Sequence, residues 1–522
     1  MPSTRTVKLF VCNKYKNILG LFPMSKPASV IDNVYIELHD NIQMPPFNVV
    51  DESERFGIIH VKIKPVQILP TPLFILFTLD RTGSMQEVSE DNITNMRYAI
   101  QTMQNMMHYL AKQKSTVYIQ INIFNSVVET LIEPTKIRND NVVEICDTID
   151  RITAHGITNI GAALQTAADT IRAYSDENPT HNVAHVFMTD GEPTDGECDT
   201  NNLISYVNTS YPNMNIGFGY RHNVYLMRRL SELERSYYSF VDDAKNTAMV
   251  YGEIMHMLLY PAMKDVVITV ENGKIYNWRN NTWDTCFAEP FLISDSEKMY
   301  HIKTTNADEM HVELKGQIVS APNDAEPRFL YKPYCYYSTT IDRIPDLINS
   351  AGEITVHSNL MPYIFRQKVQ EMLFMGRNEC IPNVSSYKTH LSQIFHEIRG
   401  YMKREDKTTD PFFNQLCDDL SITYKTCSLE FGALYAMARS ITQGSQQSYT
   451  PQLPSPRSNR YANIPPGIPY PPKLKRGIQY ESIVDICENN IIDEITQYES
   501  NQSNTSCYAS PSALAALNAF RA

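Results

Sequence analysis

The stretch Leu73-Phe74-Ile75-Leu76-Phe77-Thr78-Leu79-Asp80-Arg81-Thr82-Gly83-Ser84-Met85 decides the fold. Its first seven residues are almost continuously apolar, as in a central strand buried on both faces. A polar turn follows at once. In a parallel sheet, the loop beyond the carboxyl end of a strand is where ligand sites are built. Asp80, Thr82 and Ser84 offer three oxygen-bearing side chains at alternate positions, and Gly83 lets the backbone fold back between them.

Outward from this stretch, strand and helix patterns alternate over residues 71–260. Met96, Ile100, Met103, Met107 and Leu110 recur at helical spacing, and Ile119, Ile121 and Ile123 alternate as a strand followed by a second one over Val127–Ile132. Ile160, Ala163, Leu164, Ala167 and Ile171 form another helical stripe. Val183–Met188 and Met214–Phe218 read as strands, Leu226–Leu233 as helix, Tyr238–Val241 as strand and Ala244–Leu259 as a closing helix. This rhythm predicts an α/β fold, a doubly wound, mostly parallel, Rossmann-like sheet with helices on both faces. The methionine stripe is core packing rather than a cofactor box.

Both flanks are rich in strand patterns. Residues 1–70 carry them at Val7–Val11, Val34–Leu38 and Ile58–Ile63. Residues 262–335 carry them at Val266–Val270, Lys274–Trp278, Tyr300–Lys303 and His311–Ile318. The economical architecture is one β-sandwich whose halves are 1–70 and 262–335, with the α/β domain inserted between them. Residues 340–445 are helical in pattern (Phe365–Phe374, Leu391–Met402, Phe412–Ile422, Leu429–Ile441), with Gly444 placed to end the last helix. They predict a small bundle. A proline-rich linker spans 446–478 and an acidic, partly disordered tail 479–522, in which Ser510–Ala522 has the composition of a short helix.

Two more loops extend the chemistry of the first. Gly156-Ile157-Thr158-Asn159-Ile160 opens a helix and offers Thr158, and Thr189-Asp190-Gly191-Glu192 follows strand 183–188 and offers Asp190. All three loops are predicted along one edge of the sheet. Carboxylates and hydroxyls are hard oxygen donors, suited to Mg²⁺, Ca²⁺ or Mn²⁺ rather than zinc. The bland alternative is that Asp80 and Thr158 merely cap turns and helices.

At these residues the block resembles the von Willebrand factor type A (VWA) domain, whose metal-ion-dependent adhesion site has the pattern Asp-x-Ser-x-Ser, a loop Thr and a later Asp. Asp80, Thr82, Ser84, Thr158 and Asp190 match in order. Ile216–Gly219 and Ser239–Asp242 resemble the family's later strands. The resemblance implies a divalent cation, Mg²⁺ first, on those five residues, and a protein partner whose acidic residue completes the coordination. Two departures stand out: Thr82 replaces a serine, and Arg81 sets a positive charge beside a cation site. The overall layout is also similar to VWA proteins of large DNA viruses and to plant RING-type ubiquitin ligases with a central VWA domain. The eight paired Cys/His ligands of a RING are missing, so ligase activity is not implied.

Composition narrows the remaining classes. The net charge of −12 and the absence of a long basic run disfavour a nucleic-acid binder; Lys473-Leu474-Lys475-Arg476 is too short. No apolar run reaches membrane-spanning length, and the N-terminus lacks a secretory signal pattern, so a cytoplasmic protein is expected. The ten cysteines form no Cys-x-x-Cys pair and read as free thiols. Nucleophile-elbow, phosphate-loop and His-Glu-x-x-His motifs are absent, and His390, His396 and Glu397 read as solvated helix residues. The function that the resemblance implies is a metal-dependent protein-interaction module rather than an enzyme. The rivals are a ubiquitin-ligase-like adaptor or metal-dependent enzyme, and a structural virion component.

Overall fold

The structure is a computed structural model, which describes residues 31–39, 55–68, 71–88, 93–219, 222–241, 244–305, 310–320, 334–340, 342–344, 347–348, 354–355, 360–378, 381–429, 432–446, 494–498 and 510–521. The strand pattern at Val7–Val11 and the proline-rich segment lie outside them.

Strands β1 (Ile31–His39) and β2 (Arg55–Ile63) precede the α/β block. The block runs β3 (Leu73–Asp80), α1 (Asn95–Ala111), β4 (Val117–Phe124), β5 (Val128–Lys136), α2 (Val142–Asp150), α3 (Ile160–Glu177), β6 (Asn182–Thr189), α4 (Thr200–Ser205), β7 (Asn213–Phe218), α5 (Val224–Glu232), β8 (Ser236–Val241) and α6 (Ala244–Leu259). Its sheet has the order β5-β4-β3-β6-β7-β8, and every pairing is parallel except that of β5. This is the mostly parallel, doubly wound sheet that the pattern predicts.

All eight residues of β3 are buried. Leu73, Ile75, Phe77 and Leu79 join the core that holds Met103, Met106 and Met107 of α1 and Met255 of α6. Phe74 and Leu76 pack instead with Ala167, Ile171 and Tyr174 of α3. Helices therefore cover both sides, which is why the strand reads as one apolar run rather than an alternation. Side-chain oxygens start the helices: Thr94 accepts from Arg97 N before α1, and Asn159 from Ala162 N before α3.

Nine-residue antiparallel pairing joins β2 to a strand far downstream, Ser296–Thr304, from Ile63 opposite Ser296 to Arg55 opposite Thr304. After the block come β9 (Pro261–Glu271), β10 (Lys274–Asn277), β11 (Thr282–Asp284), β12 (Cys286–Ile293), β13 (Ser296–Thr304), β14 (His311–Ile318), β15 (Tyr334–Thr340) and β16 (Asp342–Ile344). One sheet has the order β11-β10-β13-β2-β1-β16 and the other β12-β9-β14-β15. Ile59, Val61 and Ile63 share a core with Val266, Ile268, Phe287, Ile302 and Leu314, so the strands before and after the block form one sandwich. Strand β12 escapes the sequence pattern because Pro290 interrupts it. Among the described residues it pairs only with β9, at an edge, where a missing N–H is tolerated. Helix α2 is also unanticipated: its stripe of Val142, Ile145, Cys146 and Ile149 is too short to stand out from a loop.

The helical region consists of α7 (Met361–Gly376), α8 (Val384–Arg404), α9 (Pro411–Thr426) and α10 (Gly432–Ser445). Helix α10 is enclosed nearly all round. Leu434, Met437, Ala438 and Ile441 belong to the α/β core, while Arg439 forms an ion pair with Asp419 of α9, both side chains being fully buried. Its end meets the sandwich: Lys298 Nζ donates to Ser445 O, and Met299 N donates to Gln446 Oε1 at 3.0 Å. Gly444 does not end this helix. It sits inside it, where a Cβ would overlap the Trp278 indole. Beyond the linker, α11 (Glu494–Gln497) packs on α8 and α9, and α12 (Pro511–Arg521) on α6, where Ser512 Oγ lies 2.9 Å from both Tyr109 Oη and His256 Nδ1. No helix among the described residues is long and apolar enough to cross a membrane.

Candidate metal centre

Strand register creates the site. Asp80 at the end of β3 pairs with Phe124 of β4, and Leu79 with Met188 of β6, so Asp80 and the Thr189-Asp190 turn emerge side by side. Asp80 is fully buried. Its Oδ1 accepts from Thr82 N at 2.8 Å and its Oδ2 from Thr189 Oγ1 at 2.6 Å. The turn after β3 then brings Thr82 Oγ1 within 2.9 Å of Ser84 Oγ, which donates to Asp190 Oδ1 at 2.7 Å. Asp190 Oδ2 accepts from Asn95 Nδ2 at 2.8 Å, at the start of α1. Four of the five residues singled out in the sequence thus form one hydrogen-bonded cluster.

The fifth, Thr158, is brought alongside by its own loop. A Cβ on Gly191 would lie 3.3 Å from Ser84 Oγ and 3.4 Å from Thr158 Oγ1, so both hydroxyls face the hydrogen of that glycine. Backbone bonds hold the loop in place. Gly83 N donates to Gly156 O at 3.0 Å, His155 N to Arg81 O at 2.7 Å, and Thr194 N to Thr158 O at 2.9 Å. Gly156 has φ +89°, which only glycine adopts without strain, and a Cβ there would press on Asn125.

The electrostatics follow from burying two carboxylates together. Desolvation pushes Asp80 up, opposed by the hydrogen bonds from Thr189 and Thr82. Desolvation, then the charge of Asp80, pushes Asp190 up to about 7. A bound divalent cation would reverse that penalty. The donor set fits one: two carboxylates and three hydroxyls, all hard oxygens, with Ser84 half-buried and Gly83 and Gly156 exposed, so that one side stays open to a further ligand. Among the described residues, no group of three or more His, Cys, Asp or Glu is placed to hold a metal, so a cation here would depend on the hydroxyls.

Arg81 does not oppose a cation here. Its guanidinium pairs with Glu129 of β5, and its side chain is 12% exposed. Two residues of the cluster were missed in the sequence. Thr189 lies within the Thr-Asp-Gly turn already quoted, next to a residue that was chosen. Asn95 has no motif at all, because only the fold brings it to Asp190. Other acidic residues have structural roles. Asp199 caps α4, Glu197 bonds Asp199 N and Asn202 Nδ2, and Glu397 pairs with Lys368 at 2.6 Å.

Residues 75–192 match the family model described as von Willebrand factor type A domain, and the α/β block is a domain of that type. The match spans all five positions. Solved structures similar to the chain include the ArnB paralog VWA2 from Sulfolobus acidocaldarius, at 13% identity and TM-score 0.48, covering 80% of this chain and 98% of that one. Another is a von Willebrand factor type A protein from Catenulispora acidiphila, at 11% identity and TM-score 0.49, covering 76% of this chain and 91% of that one. No curated protein matches.

Proposed function

We propose that the chain is a binding protein whose VWA domain holds a divalent cation, Mg²⁺ by its donor chemistry, on Asp80, Thr82, Ser84, Thr158 and Asp190. An acidic side chain of a protein partner is the remaining ligand. The cation supplies positive charge at the sheet edge. Asp80 and Asp190 offset most of it, the hydroxyls of Thr82, Ser84 and Thr158 complete the shell, and Asn95 and Thr189 orient the carboxylates. The observation that carries this reading is the hydrogen-bonded run from Asp80 through Thr82 and Ser84 to Asp190, built by two separate loops, with Thr158 of a third loop set against the same glycine as Ser84. Thr82 N and Thr189 Oγ1 donate to Asp80, and Ser84 Oγ and Asn95 Nδ2 donate to Asp190, so each carboxylate is already oriented as a ligand. The sandwich and the helical region act as scaffold, joined to the domain through α10.

The test is capture of a partner by the immobilised full chain in Mg²⁺ and in EDTA, alongside Asp80→Ala. Binding that needs the cation and is lost in the variant supports the reading. Equal capture in EDTA contradicts it.

A further inference from the structure

Three aliphatic side chains stand out around the metal loops. Val127 is 55% exposed, Ile157 52% and Val88 56%. Val127 lies in the β4–β5 turn, at the same sheet edge as Asp80, and Ile157 is next in sequence to Thr158. The turns are joined: Asn159 N donates to Asn125 O at 2.9 Å, Asn125 Nδ2 to His155 O at 3.3 Å, and Val127 N to Asn125 Oδ1 at 3.2 Å. Val88 lies two residues after Gln86, whose Nε2 donates to Ala154 O at 2.6 Å. Val127 and Ile157 are thus carried by turns bonded to each other beside Thr158, where two exposed β-branched side chains offer an apolar contact next to the polar centre.

The charge pattern selects the occupant. Glu192 is exposed, Glu87 and Asp195 are half-buried, and Arg81 is already committed to Glu129. With a net charge of −12 on the whole chain, a polyacidic segment is repelled at long range. A lone acid among apolar residues meets far less of that repulsion, which an ion at the site would offset locally.

We propose, resting on the cation reading above, that the partner presents one carboxylate to the ion with a large aliphatic or aromatic side chain within about two residues of it, seated on Val127 and Ile157. The apolar contact then sets specificity, and the ion supplies the anchor common to any acid.

Arrays of short peptides with one central Asp or Glu and varied neighbours, probed with the full chain in millimolar Mg²⁺, test this directly. The expected binders carry Leu, Ile, Met or Phe beside the acid and are released by EDTA. The double variant Val127→Ser, Ile157→Ser should bind them about 30-fold more weakly, from two lost apolar contacts, while its Mn²⁺ affinity, read by electron paramagnetic resonance, stays at the wild-type value. Binders with no apolar preference, binders enriched in several acids, or undiminished binding by the double variant would overturn the proposal. Mg²⁺-dependent dimerisation removed by the same variant would assign the surface to a second copy and also overturn it. Mn²⁺ binding without peptide capture in Mg²⁺ rejects the docking surface alone, whereas absence of Mn²⁺ binding rejects the cation reading beneath it.

Discussion

Replacing Asp190 with Asn should strengthen the cation-free protein and abolish its response to cations. Asp190 is 2% exposed and held at about 7 rather than the ordinary 3.8, first by burial and then by Asp80. That penalty is absent below pH 3.8, where the carboxyl is neutral whether folded or unfolded, and complete above about 7. At about 1.4 kcal/mol per tenfold change, it amounts to a ceiling of about 4 kcal/mol at pH 8. Local relaxation and water entry leave about 1–3 kcal/mol. The amide fits the same space. Its oxygen can accept from Asn95 and its NH₂ can donate to Ser84, whose hydroxyl turns to Thr82. The wild type should gain about 2.7 kcal/mol at a hundredfold excess of Mg²⁺ over Kd, and the Asp190→Asn variant should gain nothing. Urea unfolding at pH 8, in EDTA and in Mg²⁺, reads both effects. A variant less stable than wild type in EDTA, or one that keeps its Mg²⁺ gain, would refute the assignment of Asp190 as a buried charge kept for a ligand.

Gly191→Ala places a methyl group against Ser84 Oγ and Thr158 Oγ1; it should leave the melting temperature in EDTA nearly unchanged and weaken the Mg²⁺-induced shift, as scanning fluorimetry would show. Arg439→Met strands Asp419 in a fully buried site and should cost about 3–5 kcal/mol in urea unfolding, with much of that recovered when Asp419→Leu is added. His185 and His222 are pushed down to about 4 by burial. Their contribution is complete above pH 6.5 and lost as pH falls through about 4, up to about 3 kcal/mol each, so stability should decline across that window and His222→Gln should flatten the decline.

The fold was legible wherever burial imposed a period. Leu73–Leu79 announced a strand covered on both faces, and the helical stripes of α1 and α3 announced its covers. Pairing partners were legible only by economy: that β2 meets β13 rather than β1 alone depends on contacts across the whole inserted domain. Helix α10 was visible, but its position was not. Arg439, Gln443 and Ser445 look like a solvated face, and only Asp419 on another helix and Lys298 on a strand make their burial tolerable. The same limit applies at the metal loops. Asp80, Thr82 and Ser84 are read from local spacing, and Thr158 and Asp190 from their turns. Asn95 is supplied by a helix start whose only link to Asp190 is three-dimensional, and the matching of Arg81 by Glu129 depends on the register of β5.

Calorimetric titration of Mg²⁺ or Mn²⁺ into the metal-free full chain, with Asp80→Ala beside it, tests the central claim most directly. The account predicts one saturable site in the wild type at micromolar to millimolar affinity and no binding heat in the variant. Heats that are absent from the wild type, or identical in the two proteins, would contradict it.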